Sequence, residues 1–190
     1  MKTRPWGRGP MTAAIAAAWL CALLLNPSAA AKELQRLYVD LDGDSKVEAI
    51  SLATSESDAS GRSQISVRIG SAAFSTDHHI VPQGRIEMRA IVIDRQRSER
   101  QLALTVQQAD GCVHHLLAYT PRRLVRLLPI VGESDCELPS LAGDGVVEAA
   151  IWEDPGSRKA RYRLGSDGLS MTREARSAHE PGQAAQLRAR

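Results

Sequence analysis

Four carboxylates fall within nine residues in Asp40-Leu41-Asp42-Gly43-Asp44-Ser45-Lys46-Val47-Glu48, at relative positions 1, 3, 5 and 9. Alternate acids in a tightly curled loop can turn inward together, and Gly43 lets the chain curl. Calcium is a hard ion that takes 6 to 8 oxygens at about 2.3–2.6 Å. The carbonyl of Lys46 would stand at relative position 7, and Glu48 would close the cage as a strand begins. Without a cation, acids this close repel one another, and that repulsion is the physical reason to expect a divalent ion on Asp40, Asp42, Asp44, Lys46 and Glu48. The loop is not an EF-hand. Position 12 is Ser51 instead of a bidentate Glu, position 6 is Ser45 instead of Gly, and a strand follows instead of a helix. Modest affinity is the expectation. The competing reading is a solvated acidic turn whose Asp side chains cap backbone N–H groups.

Asp40-Leu41-Asp42-Gly43-Asp44 with Glu48, followed by Ala49-Ile50-Ser51-Leu52, resembles the calcium loop of FG-GAP/VCBS-type repeats, which opens propeller blades in exported bacterial proteins. The resemblance covers about a dozen residues. It implies calcium coordination by Asp40, Asp42, Asp44 and Glu48, with a blade-like strand behind them. A second, damaged copy lies 100 residues on: Ser140-Leu141-Ala142-Gly143-Asp144-Gly145-Val146-Val147-Glu148-Ala149 aligns with Asp40 to Ala49 without a gap. Ser140 and Ala142 replace two of the four ligands, so this copy is expected to keep the turn without an ion. Ile91-Val92-Ile93-Asp94 before Leu102 to Val106 has a similar flavour but no ligand set. Two or three degenerate β-units follow from this. The chain is short for a closed propeller, which leaves a partial propeller, an intermolecular one or a sandwich.

The remaining chemistry-bearing residues form weaker patterns. Cys112 and Cys136 are the only cysteines beyond residue 31, and an isolated pair in an oxidising compartment usually bridges. Closing a loop of about 25 residues stabilises by roughly 3 kcal/mol in the chain-entropy model. Two free thiols are the alternative, and no CxxC or HxxxH spacing accompanies the pair to suggest zinc. His78-His79 and His114-His115 are adjacent pairs. Neighbours on a strand point to opposite faces, so neither pair chelates by itself, although one member of each could meet across strands. Arg122, Arg123 and Arg126 read as a solvated hairpin tip. There is no Gly-x-Ser-x-Gly elbow, no His-Glu-x-x-His motif and no phosphate-cradling Gly-rich loop with Lys.

The elements that must carry these residues are strands. Val47 to Thr54 alternates, and Gln64–Ile69, Ile86–Ile93, Leu102–Gln107, Val113–Tyr119, Leu124–Val131, Glu148–Trp152, Ala160–Leu164 and Leu169–Thr172 have strand length and period. Gly, Pro and Asp turns separate them. Hairpins are expected around Pro121 and across Ala160 to Thr172. Trp152 reads as a core or inter-strand anchor. The predicted class is all-β and antiparallel over residues 32–172, with a polar tail at 173–190.

Residues 1–31 read as an address. Lys2, Arg4 and Arg8 precede an uncharged apolar run from Met11 to Leu25, broken by Asn26-Pro27 and followed by Ser28-Ala29-Ala30-Ala31. This is the layout of a secretory signal peptide, with Cys21 inside the apolar run and not at a lipidation site. Taking those three from the 24 basic residues leaves 21 against 22 acids, a net −1 for the body. A near-neutral body argues against a nucleic-acid or anionic-membrane binder. The expectation is therefore a periplasmic or secreted, non-enzymatic β-module. Its loop is stabilised by calcium, and it binds a protein or glycan partner. A small metal-dependent hydrolase and a purely structural envelope protein are the alternatives.

Overall fold

The alternation of inward aliphatic and outward polar residues places this chain in strands, and the computed structural model is all-β. It describes residues 31–132, 136–138, 141, 143–153 and 156–174, without the side chains of 151–158. The expected signal segment through residue 30, the tail from 175, the Ser140 and Ala142 positions and the Trp152 side chain lie outside the described residues. Among the described residues eleven strands are present: β1 Lys32–Val39, β2 Glu48–Thr54, β3 Arg62–Ile69, β4 Ala72–His79, β5 Ile86–Ile91, β6 Gln101–Gln108, β7 Gly111–Thr120, β8 Arg123–Gly132, β9 Val146–Glu153, β10 Gly156–Leu164 and β11 Met171–Arg173. No described helix is long and apolar enough to cross a membrane.

The strands form two antiparallel sheets, each an up-and-down meander. One runs β1-β2-β3-β4, and the other β11-β10-β9-β8-β7-β6-β5. Both expected hairpins are there: β7 pairs β8 from Cys112↔Gly132 to Thr120↔Arg123, and β10 pairs β11. Two strands, β1 and β4, have no strand signal in the sequence. KELQRLYV and AAFSTDHH lack β-branched alternation, because each lies at a sheet edge and buries only one face. The ordered body also runs past Thr172, since Arg173 closes β11 and the Glu174 amide donates to the Arg161 carbonyl at 2.8 Å.

The core is layered around β6, whose residues Gln101 to Val106 are all buried. Leu102, Leu104 and Val106 pack with Ile50, Leu52, Ile65 and Val67 of the four-stranded sheet. On its other face Ala103 joins Leu116, Leu128 and Ile130 against Val147, Ala149, Tyr162 and Leu164 of β9 and β10. The seven-stranded sheet therefore folds back over itself. Among the described residues β8 meets β9 at the register pair Val131↔Ala150. The described strands form no closed barrel, and the arrangement is compatible with a partial propeller or a sandwich.

Two crosslinks brace the fold. Cys112 and Cys136 form a disulfide with Cα atoms 5.2 Å apart, joining the start of β7 to the segment after β8. At the edge, the Gln35 side chain sits at a bulge in β1. Its amide donates to the Met88 carbonyl and accepts from the Met88 amide, both at 2.8 Å. One side chain thus does for β5 what a neighbouring strand would do. Gln35→Ala leaves both Met88 groups unpartnered at a site 0% exposed, and chemical denaturation should register a loss of about 2 kcal/mol.

Candidate metal centre

The loop between β1 and β2 is built by its own carboxylates. Asp40 Oδ1 accepts from the Gly43 amide at 2.8 Å and Oδ2 from the Ser45 amide at 2.9 Å. Glu48 Oε2 accepts from the Leu41 amide at 2.7 Å, closing the loop end to end. Leu41 is buried and anchors the turn in the core. Gly43 has φ 76° and Ser45 has φ 67°, so both take the left-handed conformation that turns their amides toward Asp40. For Ser45 this conformation costs roughly 1–2 kcal/mol. The sixth position of the loop thus keeps a glycine's backbone without a glycine.

This scaffold brings three of the expected residues together. One carboxylate oxygen from each of Asp40, Asp42 and Glu48 lies within 4.8 Å of the others, all three half-buried. Three like charges at this spacing repel by roughly 1 kcal/mol per pair in full water screening and several times that near a protein surface. The loop amides offset part of that. Asp40 and Glu48 retain lone pairs beyond those the amides use, so the triad could hold a metal ion. All the converging donors are hard oxygens.

Asp44 and Lys46 stand outside that group. Asp44 Oδ1 accepts from the Lys46 amide at 2.8 Å, and the Lys46 ammonium donates to Oδ2 at 2.9 Å. That pairing holds the Asp44 carboxyl below its ordinary range and pushes the Lys46 ammonium up. The loop's negative field reaches beyond it. Burial, then the charges of Glu48, Asp42 and Asp44, raise the Tyr119 phenol at the end of β7.

Neighbours the sequence did not flag hold the loop in place. The Arg100 amide donates to the Leu41 carbonyl at 2.9 Å, and a Cβ on Gly43 would lie 2.3 Å from Ser98 Oγ. The second copy grips the same β5–β6 connection from its other end. The Arg95 amide donates to the Gly143 carbonyl and the Gly145 amide to the Ile93 carbonyl. Gly143 and Gly145 have φ 77° and 82°, matching Gly43 and Ser45 position for position. Leu141 pairs with Val147, and Asp94 with Asp144, as isolated bridges. At these two positions the 100-residue repeat seen in the sequence is a repeat of backbone conformation. The first copy adds carboxylates that the second lacks.

Among the described histidines, His78 and His115 meet, with Nε2 atoms 2.9 Å apart. His79 is exposed, and His114 faces the other way, its Nδ1 2.9 Å from Thr105 Oγ1. Arg122, Arg123 and Arg126 are exposed, as a solvated tip requires. No family model, curated protein or solved structure matches the chain. The site must therefore be read from its own geometry.

Gly43→Ala meets both a positive φ and the Ser98 side chain and backbone. It should lower stability by about 2–4 kcal/mol in a urea titration. Ser45→Gly relieves the local strain against a higher chain entropy, so its midpoint should stay within about 1 kcal/mol of the parent.

Proposed function

We propose that this chain is an exported, non-enzymatic β-module whose Asp40–Glu48 loop takes up calcium, and that it serves a protein or glycan partner. The observation that carries the reading is the convergence of Asp40, Asp42 and Glu48 on one point of a loop already shaped by their own hydrogen bonds. An oxygen-only donor set of three anions suits a hard divalent cation, and calcium's flexible coordination suits an irregular loop better than the stricter octahedron of magnesium. Asp44 would join by exchanging the exposed Lys46 ammonium for the ion, an exchange that costs little because exposed ion pairs contribute little. The resemblance of the loop to FG-GAP/VCBS repeats points the same way. Support for export comes from the Cys112–Cys136 disulfide, which suits an oxidising compartment.

The non-catalytic reading rests on the converging donors themselves, which are carboxylates engaged in closing their own turn. Metal hydrolysis calls for an open coordination position beside a substrate cleft and a base. Next to the loop, Tyr38 and Val47 are 66% and 63% exposed, with Leu34 further along β1. An exposed aromatic beside aliphatic side chains fits a partner surface.

Calcium that binds only the folded loop stabilises it by about 2.7 kcal/mol at a hundred times its dissociation constant. For a domain of this size that is a rise in Tm of about 5–10 °C over the chelator-treated protein. The combined Asp40→Asn and Asp42→Asn variant should lose the shift, and magnesium should give less of it. A midpoint indifferent to calcium at millimolar concentration removes the metal from the reading.

A further inference from the structure

The interface between the two sheets contains a titratable contact that the metal loop does not use. His78, on the inward face of β4, and His115, on β7, are 8% and 3% exposed. Their Nε2 atoms lie 2.9 Å apart, which requires one ring to donate an N–H and the other to present a lone pair. Gln108, from β6, places its side-chain amide 2.6 Å from His78 Nδ1, and Thr76 Oγ1 lies 3.2 Å from His78 Nε2. His115 packs its ring 5.6 Å from Phe74, and its Nδ1 is buried without a hydrogen-bond partner. We propose that His78 and His115 form an acid-sensitive latch: neutral at pH 7 they hold β4 against β7, and protonation of the pair releases the β4 edge.

The argument is one of proton inventory. With both rings cationic, two N–H groups would face each other across 2.9 Å and no lone pair would remain between them. The charged groups around the pair oppose extra protons. Arg62 of β3 acts on His78, and Arg126 of β8 and His114 of β7 act on His115. Asp77 alone favours a charged His78, and β6 offers only the neutral Gln108. Burial is the largest influence on both rings, lowering His78 and pushing His115 down to about 3. Two imidazoles and a hydroxyl without a carboxylate would leave a buried divalent ion's charge uncompensated, so the donor set suits a proton better than a metal.

The sign follows directly. Both groups are lowered in the folded state, so their contribution is fully present above the unfolded value near 6.5 and is lost as pH falls below it. A ring held neutral throughout raises the unfolding constant roughly sixteenfold between pH 6.5 and 5. The test uses the full chain. Amide exchange over Ala72–His79, corrected for intrinsic rates, should accelerate between pH 7 and 5 before the rest of the core. Denaturation midpoints should fall over the same window. His115→Gln should remove about one proton from the pH slope. If His115→Gln does not fold, NMR titration of the parent's imidazoles decides: His115 stays neutral at pH 5.5. A His115 that titrates near 6.5, an unaltered slope in His115→Gln, or stabilisation by Zn²⁺ that His115→Gln abolishes would each overturn the latch.

Discussion

Everything in this molecule is arranged around the need to cover both faces of β6. A strand reading Gln-Leu-Ala-Leu-Thr-Val cannot leave either side in water, because Leu102, Leu104 and Val106 occupy one face and Ala103 and Thr105 the other, all at most 6% exposed. One face takes the β1–β4 meander. The other takes the returning half of its own sheet. With β6 fixed between them, the connection that leads into it, residues 92–100, is caught at the junction, and both copies of the acidic turn close on it. The position of the Asp40–Glu48 loop is thus a consequence of core burial, and its carboxylates converge because their backbone is braced by Leu41 and Arg100.

The turn shape and its chemistry are separable. Gly43 and Gly143, and Ser45 and Gly145, adopt the same left-handed conformations a hundred residues apart. The second copy holds its form with an interstrand bridge and hydrogen bonds to Ile93 and Arg95. The first copy uses Asp40 and Glu48 for that purpose, so its acids serve twice. They fold the loop as hydrogen-bond acceptors, and they leave an anionic centre that the loop amides only partly offset.

Much of this was legible in the sequence. Hydrophobic alternation marked nine of the strands and both hairpins, because strands that bury a face must alternate. The acid spacing marked the loop, and the gap-free second copy marked its repetition. The disulfide pairing followed from there being only two cysteines beyond residue 31. What escaped was whatever depends on an edge or on a distant partner. β1 and β4 carry mixed polar residues that a one-sided strand tolerates. Asp44 looked equivalent to Asp40 and Asp42 by spacing, yet in the fold its neighbour Lys46 claims it. The meeting of His78 with His115 depends on how two sheets stack, which no local pattern encodes, although strand alternation had placed the two members of each histidine pair on opposite faces.

The Gln35 side chain has a consequence beyond the hydrogen bonds it makes. β5 is the outermost strand of the larger sheet, and an unoccupied outer strand is a template on which another chain can zip up. By filling the donor and acceptor of Met88 at mid-strand, a residue 53 positions away denies that template its central rung. Wherever copies meet, that covered rung limits strand addition at this edge, and the same amide joins two sheets.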